Sequence, residues 1–169
     1  AKVLLTTYTR NLVRAIEAQL IELAGKEITQ RVEVLNVDAL ARKVVASTDT
    51  GRALVTSSTL VHDGDSRVTQ LWSVAAQQSN EGWEPAFLSD EWSLVVLGNS
   101  IENETAYLRV ARSGRSQRLS RPQRADVWKV IEHFQRLMRA DGLITFTELA
   151  ARAASVLTAD PKLRDKFGY

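Results

Sequence analysis

Apolar residues recur three and four positions apart through most of this chain, so helices dominate the expected fold. Leu12, Val13, Ile16, Leu20 and Leu23 predict a helix over 12–24, stopped by Gly25. Before it, Val3, Leu4 and Leu5 form an apolar run without alternation, the pattern of a short strand covered on both faces. Val32-Glu33-Val34-Leu35 predicts a second strand, and strand, helix and strand make one βαβ unit with a right-handed crossover. Asp38 is expected to cap a helix through about Ala46, with Leu40, Val44 and Val45 apolar. Arg52 to Val61, rich in Val, Thr and Ser, predicts a strand.

Beyond Arg67 the helical period returns. Val68 to Gln78 has Leu71, Trp72 and Ala75 inward, and Ser89-Asp90-Glu91 places a cap and two acids where a further helix would start. That helix has Trp92, Val95 and Val96 as its core face. Asn103 caps the next, with Ala106, Tyr107 and Val110 apolar and Gly114 as its stop. Val127, Val130, Ile131, Phe134, Leu137 and Met138 stripe a long helix over 123–140. Thr145-Phe146-Thr147-Glu148 reads as a capping box opening a helix to about Leu157, with Leu149, Ala153, Val156 and Leu157 inward. Pro161 begins an exit segment. The class is α/β, mostly helical, with a composition shift at Ser47 marking a domain boundary.

Composition narrows the picture. A chain of 169 residues is enough for one domain with a sizeable core, or for one domain plus an insertion, and 44% hydrophobic with 25% charged residues is ordinary for a globular protein. No apolar run is long enough to cross a membrane, and no signal peptide opens the chain. With no cysteine, disulfides and thiolate metal sites are excluded and a reducing cytoplasm is the expected compartment.

Charge distribution matters more than the net +2. Arginines stand at 109, 112, 115, 118, 121 and 124, every third residue, with no acid among them. Gly114 and Pro122 interrupt any continuous helix, so the middle is a loop that could follow a phosphate path; the competing reading is a solvated face. His62-Asp63-Gly64-Asp65 offers two carboxylates and a histidine in four residues, but no third ligand cluster lies nearby and a polar turn is the better reading. Trp72, Trp83, Trp92 and Trp128 could stack on bases, yet three of them share helical spacing with apolar neighbours and read as core. His133 neighbours the apolar stripe of its helix and reads as structural. Hydroxyls at the end of a parallel strand beside a helix N-terminus can bind phosphate, which singles out Thr7 and Thr9; alternatively Thr9 simply caps the helix.

That turn also carries a resemblance. Thr7-Tyr8-Thr9-Arg10-Asn11 resembles motif Ia, the TFTNK-type turn of UvrD/Rep-like superfamily 1 DNA helicases. Val34-Leu35-Asn36-Val37-Asp38-Ala39-Leu40 resembles the next strand-to-helix turn, TFHSL, of that family. Phe87 to Leu157 resembles the helical insertion of actinobacterial members, through Phe87-Leu88 before Glu91-Trp92, Tyr107-Leu108, Arg112-Ser113-Gly114-Arg115, and Gln123-Arg124 before Val127-Trp128.

The resemblance implies a partial RecA-like P-loop NTPase core at 1–46, an inserted helical subdomain at 47–145 and a return to the core at 146–169. It implies an ATP-dependent helicase acting in DNA repair or recombination, translocating 3′ to 5′ along single-stranded DNA. Thr7, Tyr8, Thr9, Arg10 and Asn36 would be strand contacts by position, joined by Arg112, Arg115, Arg118 and Arg121 from the arginine rhythm. The sequence departs from the family where Arg10-Asn11 replaces Asn-Lys and where Asp38 stands in place of histidine.

The phosphate loop G-x-x-x-x-G-K-[ST] does not occur, so ATP and magnesium belong to the parent protein and no catalytic residue or metal is assigned here. The chain opens on Ala1 close to a strand and closes on Lys166-Phe167-Gly168-Tyr169, about where the family's acidic strand would begin. An inactive fragment is therefore expected, whose exposed sheet edges favour dimerisation. The alternative is a free-standing basic helical DNA-binding module in which 121–140 and 145–157 form a helix-turn-helix; its second helix, rich in alanine, lacks base-reading side chains. A self-contained enzyme finds no nucleophile–base pair in the sequence.

Overall fold

The computed structural model describes residues 2–115 and 117–167; the expectations for Ala1, Gly168 and Tyr169 fall outside these. The chain is mostly helical with two small parallel sheets, and it divides into two compact units. One takes Ala1–Thr56 and Arg152–Tyr169; the other takes Ser57–Ala151. The breaks lie some residues beyond those expected at 46 and 145, and both fall inside helices.

In the first unit β1 (Val3–Thr7) leads into α1 (Arg10–Ala24), a short α2 (Ile28–Arg31), β2 (Val32–Asn36), α3 (Val37–Val45) and α4 (Asp49–Ser57). β1 and β2 pair in parallel from Val3 opposite Val32 to Thr7 opposite Asn36. Gly25 ends α1 at φ 75°, a conformation costly for a residue with a Cβ. Two expectations need correction here. β1 is not covered on both faces: Val3 is 54% exposed and Leu5 38%, and α1, which follows it, has no fully buried residue. The strand expected over 52–61 is mostly α4, with only Thr59–Val61 extended as β3. The Thr48 hydroxyl accepts from the Gly51 N–H at 3.1 Å and closes the first turn of α4, outweighing the β-branched residues that follow. A Cβ at Gly51 would sit 2.0 Å from the Val45 carbonyl oxygen, so only glycine lets this turn approach the end of α3.

The second unit holds α5 (Ser66–Ala76), α6 (Pro85–Asp90), α7 (Glu104–Arg109), α8 (Arg121–Ala140), β3 and β4 (Leu143–Thr145). α6 continues directly into a π-helical segment, Glu91–Leu97. Ser89, Asp90 and Glu91 therefore lie inside a helix and do not start one: Pro85, pre-set for the first turn, begins it four residues earlier. α8 has the apolar stripe its sequence announces, and a capping box of Ser120 and Gln123 opens it. Its buried face packs with Trp72, Trp92 and Tyr107 in one core, and all four tryptophans are buried. β4 pairs in parallel with β3, Thr59 opposite Leu143. It separates α8 from α9 (Phe146–Ala159), so a tight helix-turn-helix connection does not form. The exit segment after Pro161 is itself a helix, α10 (Pro161–Phe167).

Candidate nucleic-acid interface

Parallel pairing brings Thr7 and Asn36 side by side at the C-terminal ends of β1 and β2. A helix opens after each. Thr9 caps α1, its Oγ1 accepting from the Leu12 N–H at 3.2 Å. Asn36 caps α3, its Oδ1 accepting from the Ala39 N–H at 2.9 Å. The helix starts add partial positive charge to this corner, and the first turn of α1 contains no acid to cancel it. Tyr8 stands between strand and helix, 87% exposed and free to stack on a planar group. Thr9 and Arg10 are exposed beside it. Thr7 is 6% exposed and its buried Oγ1 has no hydrogen-bond partner.

Two expectations change. Asp38 is not the cap of α3; it lies in the first turn, where its charge suits the macrodipole and opposes an incoming phosphate. Asn36 is 7% exposed with its side-chain oxygen engaged in the cap, so it positions α3.

The arginine rhythm divides into two sets. Glu91, fully buried, accepts from Arg112 Nε and from Arg112 Nη2, the latter at 2.7 Å, and from the Tyr107 hydroxyl at 2.7 Å. Arg112 also donates to the Gln117 carbonyl, and its side chain is only 5% exposed. Arg115 reaches Glu91 Oε2 at 3.3 Å and Asp90 Oδ2 at 3.0 Å, with its guanidinium 5.3 Å from the centre of the Phe87 ring. Hydrogen bonding to Glu91 raises the Arg112 pKa, and burial followed by the Glu91 bond pushes the Tyr107 phenol far above its ordinary range. Both residues therefore keep their donor forms.

These contacts correct the placing of Arg112 and Arg115 among the strand contacts. The sequence shows no acid near them, but α6 and the π-helical segment supply two through space. The residues of the resemblance in this stretch, Phe87, Glu91, Tyr107, Arg112 and Arg115, are thus one structural cluster that pins the loop carrying the two arginines. One signal of it was present in the sequence: Glu91 directly precedes an apolar face of Trp92, Val95 and Val96, and an acid there needs a buried partner. Arg118 and Arg121 are exposed, as is Arg109.

The remaining candidates resolve as structure. Asp63 accepts from the Thr147 hydroxyl at 2.8 Å, and Asp65 caps α5 while holding Arg67. Among the described residues no three ligand-type side chains gather as a metal site. His133 contacts Arg136 one turn along α8. Among the described residues no helix is long and apolar enough to cross a membrane. No family model matches the chain, and no curated protein matches it.

Proposed function

We propose that this chain is the DNA-contacting segment of an ATP-dependent, UvrD/Rep-like DNA helicase, with part of a RecA-like core in its first unit and the helical insertion in its second. The observation that carries the reading is the corner where β1 and β2 end together, two helix N-termini open, and Tyr8 projects into solvent. Such a corner suits a single strand: helix-start N–H groups meet phosphate and the tyrosine ring meets a base. Tyr8, Thr9 and Arg10 are the contacts, with the buried Thr7 and Asn36 as their support. ATP and magnesium belong to the parent motor, since no residue of this chain forms the phosphate loop. In their two-stranded sheet β1 and β2 each keep one unpaired edge among the described residues, and such edges favour self-association of the isolated chain.

The test is Tyr8→Ala, with labelled oligothymidine binding followed by fluorescence anisotropy at low salt. Removing one stacked base weakens binding by about 1–3 kcal/mol. Because Tyr8 is so exposed, stability should move by no more than about 0.5 kcal/mol. Unchanged affinity, or no binding by the parent sequence, rejects the reading.

A further inference from the structure

Three of the four arginines of the rhythm outside the buried network, Arg109, Arg121 and Arg124, converge on a second place. α7 ends at Arg109, α8 begins at Arg121, and the two helices pack together. Arg124 Nη1 donates to the carbonyls of Tyr107, Leu108 and Val110 at 3.2, 3.4 and 2.8 Å, closing the C-terminal end of α7. This holds its guanidinium at an open recess of about 410 Å³ lined by Thr105, Leu108, Arg109, Arg121 and Arg124. Three of these five residues are arginines and none is acidic. Among the described residues the ion pairs of this stretch are those of Arg112 and Arg115, so no carboxylate balances the recess.

The helix start sharpens the argument. The first turn of α8 carries no acid, and Arg121 sits at its positive end. The macrodipole disfavours a cation there unless an anion joins it. Arg124 is compensated by the carbonyls of Tyr107, Leu108 and Val110, and Arg109 by the negative end of α7; Arg121 has neither among the described residues.

We propose that this recess binds a phosphate group of a nucleic-acid strand, with Arg109 and Arg121 closing on its oxygens and Arg124 held ready beneath. The proposal rests on the nucleic-acid reading above but uses none of the same residues. Guanidinium forks match phosphate oxygens in pairs. No amide or aromatic side chain lines the recess, so it holds backbone and does not read bases.

The experiment combines arginine Nε–Hε NMR spectra with anisotropy on oligothymidine, using the full chain. Signals of Arg109, Arg121 and Arg124 should shift with oligothymidine at low salt. Arg109→Gln with Arg121→Gln should weaken binding about five- to tenfold, and the log–log salt slope should fall by about 0.7 for each phosphate no longer neutralised. Arg139→Gln, an exposed change at the far end of α8, should have no such effect. Shifts with pyrophosphate but none with oligothymidine would overturn the strand in favour of a small phosphate compound, and shifts with neither would overturn the site. An Arg139→Gln loss as large as that of the double variant would also overturn it, since any surface charge would then serve. If Tyr8→Ala binds normally while the recess signals still shift, the strand-end corner fails and the recess stands. Weakened binding by Tyr8→Ala with none by the double variant overturns the recess and leaves the corner standing.

Discussion

Replacing Glu91 with alanine will cost about 3–5 kcal/mol of folding stability, the usual consequence of stranding a buried charge. Glu91 is the only carboxylate on Arg112 among the described residues, and the guanidinium is almost fully covered. Without Glu91, Arg112 keeps a single bond to the Gln117 carbonyl, and the Tyr107 hydroxyl loses the acceptor it meets at 2.7 Å. Against a total stability of about 5–15 kcal/mol, that loss is large enough to unfold much of the population. Glu91→Gln keeps shape and an acceptor oxygen, so it should fall between alanine and the parent. Joint replacement, Glu91→Leu with Arg112→Met, removes the charge pair and should recover most of the loss, because paired desolvation roughly offsets paired attraction. Urea denaturation followed by tryptophan fluorescence measures all three. A Glu91→Ala loss below about 1 kcal/mol would mean that the pair behaves as a solvated surface interaction.

This network marks the limit of what the sequence makes legible. Elements whose signal is local are readable from it: the stripe of α8, the Asn103 cap of α7, the Gly25 stop of α1 and the Thr145 cap of α9, where Glu148 N–H meets Thr145 Oγ1 at 3.1 Å. The role of the arginines is not, because it depends on acids 21 to 25 positions away in the chain. A spacing of three looks like a solvent-facing rhythm, yet a loop held by the π-helical segment turns two of its members inward. α4 is misread for a related reason. Its Val and Thr content favours a strand, while one hydroxyl cap and one glycine that fits against Val45 decide for a helix. β4 escapes notice because three residues carry too little pattern, and its partner β3 lies over 80 positions earlier. At the strand-end corner the residues are legible, but not that Asn36 faces inward as a cap while Tyr8 faces out.

Phe134→Ala will be the second severe change, at about 3–5 kcal/mol. Phe134 is 1% exposed at the centre of the second unit. Its ring lies over Trp72 with centroids 3.6 Å apart and planes within 7°, and Trp92 meets it edge-on at 6.3 Å and 66°. Truncation removes both aromatic contacts and leaves a cavity between three helical segments that the two tryptophans are too rigid to fill. Phe134→Leu retains most of the volume and should lose less, by about half. The consequence reaches the recess, because Phe134 belongs to the helix that begins with Arg121 and Arg124. Loosening α8 from its core frees Arg124 from the α7 carbonyls, so Phe134→Ala should weaken oligothymidine binding even at temperatures where the chain still folds. Thermal unfolding by circular dichroism, paired with anisotropy below the transition, tests both parts. A stability loss with unaltered binding would show that the recess is formed by α7 and the start of α8 alone, independently of the core beneath them.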